Sequence, residues 1–173
     1  MIIRKLFKFE NAHIVRGSLS PKCALSLHGH SYRVEFLLRS DRLNQAQMVI
    51  DFTRVKELLG WFVEAFDHSV TIWSGDDSEY IEAMKKHSER WIVMPVSPSA
   101  EQFARVFFWF GYRALKGEGI TLDSAIVHET DAAYAQAFLE DIENRSMGEL
   151  RAEDFSYSEA IKLNFNGFDI DRG

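Results

Sequence analysis

One cysteine, Cys23, stands among 173 residues, so an intrachain disulfide is excluded and a reducing cytosol suits the chain. No apolar run approaches the roughly 20 residues that a membrane-spanning helix needs. The first residues, Met1-Ile2-Ile3-Arg4-Lys5, lack the apolar core and cleavage site of a signal peptide and predict a strand instead. A cytoplasmic location without membrane attachment is therefore expected. Positive charge is in deficit: 20 Lys and Arg face 26 Asp and Glu, for a net charge of −6. That balance argues against nucleic acid as the main partner, yet says little about small anionic substrates, because local cations can override the global field. Internal repeats, low-complexity tracts and clear linkers are also missing. What remains is a chain that is 46% apolar with 14 Phe, enough for one domain with a substantial core.

Residues 2–9 predict a first strand, followed by a polar loop with Gly17, Ser18, Ser20, Pro21 and Cys23. Residues 28–39 alternate apolar and polar side chains and predict a second strand, and Met48-Val49-Ile50 is expected to end a third. Asp51 is a good helix N-cap for an apolar stripe of Phe52, Val55, Leu58, Leu59, Phe62, Val63 and Phe66. Residues 74–96 are less regular, with a short helix expected between Asp76 and Arg90 and a short apolar run at Trp91–Met94. Ser99-Ala100-Glu101-Gln102 has the form of a capping box before a helix built on Phe103, Val106, Phe107, Phe110 and Leu115. Residues 120–130 predict a last strong strand, with Tyr134–Leu139 pairing beside it. The stretch from Glu140 to Gly173 is polar and patchily aromatic, and its pattern assigns it to no element. The order suggests an α+β layer, with helices packed on one face of an antiparallel sheet.

Chemistry concentrates in a few residues. A side-chain period of two puts His28 and His30 on one face of the second strand, about 6 to 7 Å apart, in line with Tyr32, Val34, Phe36 and Leu38. With His13 from the preceding strand they would form a three-histidine site with an open fourth position, the pattern of catalytic zinc. An isolated His-x-His is as often two solvated histidines. Cys23 would ordinarily be a small buried hydrophobe. Beside Lys22 and near a dication, the same thiol would favour its thiolate and serve as a base or nucleophile. Asp67-His68 is either a solvated pair at a helix end or a proton relay in which the carboxylate fixes the imidazole. Glu129 continues the apolar stripe of Ala125 and Val127, where a carboxylate needs a partner: an arginine, or a ligand edge carrying adjacent N–H donors. His87, within Lys85–Arg90, belongs to a solvated face.

Together these phrases resemble the 6-pyruvoyl-tetrahydropterin synthase / 6-carboxytetrahydropterin synthase family. Phe9-x-x-Ala12-His13, Cys23 before Leu27-His28-Gly29-His30-Ser31-Tyr32, Met48-Val49-Ile50-Asp51-Phe52, Asp67-His68, Pro98–Gln102 and His128-Glu129-Thr130 follow in the family's order. The resemblance implies a tunnelling fold, with a four-stranded antiparallel sheet backed by two long helices and subunits joined through their sheets into a β-barrel. It assigns zinc to His13, His28 and His30, the catalytic thiol to Cys23, and a relay from a neighbouring subunit to Asp67 and His68. Glu129 matches the anchor of the pterin ring, and Glu101 a second glutamate near it.

The implied reaction converts 7,8-dihydroneopterin triphosphate to 6-carboxy-5,6,7,8-tetrahydropterin, acetaldehyde and triphosphate, on the route to queuosine, in a homo-oligomer with hexamers favoured. The family's other main activity, elimination of triphosphate to a pyruvoyl pterin, and a non-catalytic pterin- or zinc-binding module are the competing readings. The implied synthase domain spans residues 1–139, with 74–96 as an insertion and 140–173 as an extension. The chain departs from the family pattern at Ser69–Trp73, where Leu-Asn usually follows the Asp-His pair.

Overall fold

Two long strands, β1 (Ile2–His13) and β2 (His28–Arg39), form the hairpin on which everything else is assembled. They pair antiparallel from Ile2 opposite Arg39 to His13 opposite His28. The alternation expected of β2 is present: Tyr32, Val34, Phe36 and Leu38 are buried and the residues between them are not. A computed structural model describes residues 1–165, with side chains through residue 162. A short helix α1 (Pro21–Leu25) carries Cys23 in the connection between the two strands.

Two helices cover the apolar face. In α2 (Phe52–Phe66) the Asp51 side chain accepts from the Thr53 N–H at 2.7 Å, and Val55, Leu59, Phe62, Val63, Ala65 and Phe66 face inward. Phe52, expected in that stripe, is exposed on the first turn, where the Lys5 ammonium of β1 lies 5.8 Å over its ring. In α4 (Ala100–Ala114) Ser99 accepts from the Gln102 N–H, the first half of a capping box. Every residue from Phe103 to Gly111 is buried, so α4 has neighbours on all sides rather than one apolar stripe. Phe9, Phe66, Phe103 and Phe107 meet edge to face or tilted with ring centroids 5.1–6.4 Å apart, and Phe9 stacks on Tyr32 at 5.0 Å.

The sheet is larger and more mixed than expected. Among the described residues its order is β6 (Tyr134–Ala137), β5 (Thr121–His128), β2, β1, β3 (Ser69–Trp73), β4 (Trp91–Met94) and β7 (Ser156–Tyr157), seven strands instead of four. The portion made of β1, β2, β5 (Thr121–His128) and β6 (Tyr134–Ala137) is antiparallel. Beyond β1 the chain adds β3 (Ser69–Trp73) and β4 (Trp91–Met94), both parallel to their inner neighbour, with α3 (Ser78–His87) as the crossover. Val70, Ile72, Ile92, Val93 and Met94 are all buried, as befits parallel strands covered on both faces. The strand expected at Met48-Val49-Ile50 does not form. The Asn44 side chain accepts from the Ala46 and Met48 N–H groups and Gln47 takes φ +61°, so this backbone is satisfied within a turn.

The stretch after residue 140 also has a place. Helix α5 (Leu139–Glu143), the short strand β7 (Ser156–Tyr157) and α6 (Glu159–Phe165) pack against α4, β4 and α2. Leu150 and Ile161 join the main core. Arg105 on α4 clamps this segment by donating to the Asp141, Met147 and Gly148 carbonyls at 2.5–2.9 Å. Gly148 is left-handed (φ +96°), and a Cβ there would meet Val96 at 2.7 Å. Among the described residues no helix is long and apolar enough to cross a membrane.

Because Ile161 is fully buried, Ile161→Ala is expected to destabilise the protein by about 2–4 kcal/mol in urea unfolding monitored by fluorescence. A cost below about 0.5 kcal/mol would show that the extension does not contribute to the core.

Candidate functional site

The hairpin register brings the three histidines together. His13 lies opposite His28, and His30 lies opposite Asn11 two pairs further along the strands. The His13–His28, His28–His30 and His13–His30 ring centroids are 4.6, 5.1 and 5.3 Å apart, and one ring nitrogen from each lies within 4.8 Å of the others. His13 Nδ1 meets the Pro98 carbonyl at 2.5 Å and His28 Nδ1 the Ser26 carbonyl at 2.9 Å. Carbonyls accept, so each Nδ1 carries a proton, and Nε2 is the nitrogen left to face a metal. Burial, reinforced by the neighbouring His28 and His30, lowers the His13 pKa from 6.5 to about 4, against the opposing effect of the Pro98 carbonyl. His13 is therefore neutral at physiological pH, and the donor set fits a borderline cation such as zinc.

Glu129, just past the end of β5, brings Oε1 to 3.8 Å from His13 Nε2 and 3.7 Å from His30 Nε2. With His13 neutral, the first of these is a polar contact and not an ion pair. Tyr32 donates its hydroxyl to Glu129 Oε1 at 3.3 Å, and its ring is packed against His13, His30 and Phe103. Burial and the Glu129 charge push the phenol far above its ordinary value, so Tyr32 stays a donor. Sequence reasoning placed Tyr32 only in the core. Its spacing of two and four residues from His30 and His28 on one strand face was the available signal.

Cys23, His28, His30, Glu101 and Glu129 line one cavity of about 240 Å³, together with Ser18, Ser99 and Tyr134. No lysine or arginine lines it among the described residues. Glu101 lies in the first turn of α4, where a carboxylate is also favoured by the exposed N–H groups of the helix. The structure does not bring Asp67 and His68 into this cavity. His68 Nδ1 donates to Asp67 Oδ2 at 2.8 Å, and the other Asp67 oxygen accepts the Glu10 N–H at 2.7 Å. The His68 N–H donates to the Glu10 carbonyl at 2.7 Å, which holds His68 in a left-handed conformation (φ +54°) that costs a β-carbon-bearing residue free energy. Arg90 adds bonds to the Asp67 and Glu64 carbonyls. His68 is thereby a held but exposed imidazole, lining a separate groove of about 610 Å³ that shares only His30 with the Cys23 cavity.

The fold and site define a cavity with a thiol and carboxylates at its wall, beside three histidines that could hold a metal ion. The model of the family 6-pyruvoyl tetrahydropterin synthase matches residues 2–140, so the chain belongs to that family and is a lyase of the pterin synthase kind. A 6-carboxy-5,6,7,8-tetrahydropterin synthase of Helicobacter pylori strain J99 is 35% identical over 151 residues, covering 83% of this chain and 76% of that protein. One of the same name from Aquifex aeolicus is 33% identical over 143 residues, covering 72% and 87% respectively. In the fold, an uncharacterized protein of Wolinella succinogenes superposes with a TM-score of 0.66 at 21% identity, over 80% of this chain and 98% of that one. The 6-pyruvoyl tetrahydropterin synthase of Caenorhabditis elegans gives 0.60 at 19%, over 80% and 94%.

The lowered His13 pKa has a consequence for stability. The folded chain binds fewer protons at His13 than the unfolded chain, so metal-free protein loses stability as pH falls from about 6.5 through about 4. At about 1.4 kcal/mol per pH unit the effect is on the order of 3 kcal/mol. Urea unfolding across this range should show the loss, and His13→Asn, which cannot titrate, should have a flatter profile. Equal slopes would place the acid sensitivity elsewhere.

Proposed function

We propose that this chain converts 7,8-dihydroneopterin triphosphate, with water, to 6-carboxy-5,6,7,8-tetrahydropterin, acetaldehyde and triphosphate, in the cytoplasm and on the route to queuosine. The observation that carries the reading is the convergence of Cys23, Glu129, His28 and His30 on one cavity, with His13 clustered against the two histidines. The named relatives at 33–35% identity support the choice of reaction. We assign residues 1–139 as the synthase domain and 140–173 as an extension.

His13, His28 and His30 would hold zinc. Bound there, zinc supplies Lewis-acid polarisation of the hydroxyls on the substrate side chain. Glu129 accepts hydrogen bonds from the guanidine-like N–H edge of the pterin ring, and Glu101 stands at the same wall as a second acceptor. Tyr32, kept protonated, orients the Glu129 carboxylate. The 240 Å³ cavity suits the ring and the start of the side chain, and without a cationic wall it leaves the triphosphate outside. Cys23 takes a proton from the side chain as general base. His68 exchanges protons at its outward Nε2 while Asp67 fixes Nδ1–H.

His68 and Cys23 occupy different cavities in one chain, so the relay comes from a neighbouring subunit of a homo-oligomer assembled through its sheets into a barrel, with a hexamer favoured. Exposed Leu19, Leu25 and Leu27 flank Cys23 and offer apolar surface for that contact.

Incubation of the zinc-loaded protein with dihydroneopterin triphosphate should yield acetaldehyde and a carboxypterin. A pyruvoyl pterin without acetaldehyde would move the assignment to the triphosphate-eliminating synthase, and tight pterin binding without turnover to a binding module. Cys23→Ala should lower kcat about 10²- to 10⁴-fold with zinc content unchanged. Glu129→Gln should weaken the capture of the ring, raising KM by about tenfold or more in steady-state kinetics. Full activity of Cys23→Ala would remove the thiol from the mechanism.

A further inference from the structure

We propose that Asp76, acting through Arg16, is a positioning residue that fixes the loop carrying Cys23, and that the 74–96 segment thereby contributes to catalysis without touching substrate. The proposal rests on the role given above to Cys23. Arg16 Nε donates to Asp76 Oδ1 at 2.7 Å, while its Nη1 donates to the Ala24 carbonyl at 3.2 Å. The guanidinium also lies 5.1 Å over the Tyr80 ring, a cation–π contact. One step back in the chain, the Val15 N–H donates to the Cys23 carbonyl at 2.9 Å. Val15 and Arg16 therefore hold the carbonyls of Cys23 and Ala24 in succession. By these two bonds the segment after β1 grips α1.

The anchor at the other end is rigid. The Asp76 side chain is 3% exposed, and a carboxylate that deep is retained only with a partner. Its backbone is set by β3: the Asp76 N–H closes a turn on the Trp73 carbonyl at 3.0 Å. Gly75 permits that turn to lie on the indole, since a Cβ there would meet the Trp73 ring at 2.6 Å. Asp77 caps α3 by accepting from the Glu79 and Tyr80 N–H groups, which places the Tyr80 ring under the guanidinium. Only a planar, forked donor satisfies the carboxylate, the carbonyl and the ring at once, and a lysine ammonium does not.

A simple ion pair would tolerate Arg16→Lys, because the charge survives. The positioning role would not. The zinc-loaded full chain is tested as wild type, Arg16→Lys and Asp76→Asn, with zinc content and urea midpoint checking the fold. Cys23 is the only cysteine, so alkylation by iodoacetamide at fixed pH reports on its loop alone. Both variants should alkylate about threefold faster or more, as the released loop exposes the thiol. In turnover both should lose about tenfold or more in kcat with KM within about twofold, because misplacement costs the reacting geometry and not ring binding. Alkylation or kcat within about twofold of wild type in both variants would overturn the proposal. Failure of the wild type to turn over dihydroneopterin triphosphate would instead overturn the functional reading, while the alkylation comparison would still decide whether Arg16 and Asp76 hold the loop.

Discussion

The register of the β1–β2 hairpin is the constraint on which the rest of this structure depends. Phe9 faces Tyr32, Asn11 faces His30 and His13 faces His28, all on the side of the sheet turned to the helices. A slip of one residue would turn every one of these side chains to the opposite face. Burial of Phe9, Tyr32, Val34, Phe36 and Leu38 makes such a slip costly, since each large apolar side chain is worth about 1.5–3 kcal/mol when removed from water. The aromatic core thus fixes the register, and the register gathers the imidazoles. The histidine cluster is the last layer of the core, where the strand face runs out past Tyr32.

That origin explains the electrical character of the site. His13 is buried as deeply as any phenylalanine and is held by the Pro98 carbonyl at the entrance to α4. Burial keeps the imidazole neutral and keeps Tyr32 protonated. Polarity then rises outward, through half-buried His28 and His30 to Glu129, Cys23 and Glu101 at the cavity wall. Imidazole nitrogens below and carboxylates above form a graded wall suited to a ligand with an N–H edge at one end and hydroxyls at the other.

The groups proposed to handle protons lie on two separate pieces of backbone. Cys23 rides on a short helix with no buried residues of its own, while Asp67 and His68 form a corner held by Glu10 and Arg90. Both pieces are tied to the β3–α3–β4 segment, the first through Arg16 and Asp76, the second through Arg90. The extension after residue 140 braces the opposite side by covering α4, which is why that helix can be buried on every face.

Much of this was legible in the residues alone. Period-two spacing placed His28 and His30 on one face, the stripe from Val55 to Phe66 foretold α2, and Asp51 and Ser99 marked their helix starts. These are contacts between residues close in the chain, so local order specifies them. Other features depend on partners far away. Asn44 turned the expected strand at Met48–Ile50 into a turn, and the apolar runs of β3 and β4 became strands because β1 had an edge to pair. Tyr32 became a site residue only once Glu129 arrived from a strand nearly a hundred positions later. The tautomers of His13 and His28 depend on the carbonyls of Pro98 and Ser26, backbone atoms common to every residue type and so without any signature in sequence. Which side chains face one another was written in the spacing. Which distant groups would meet them, and which cavity each would line, was settled by packing, because burial and backbone pairing act between residues that the order of the chain does not bring together.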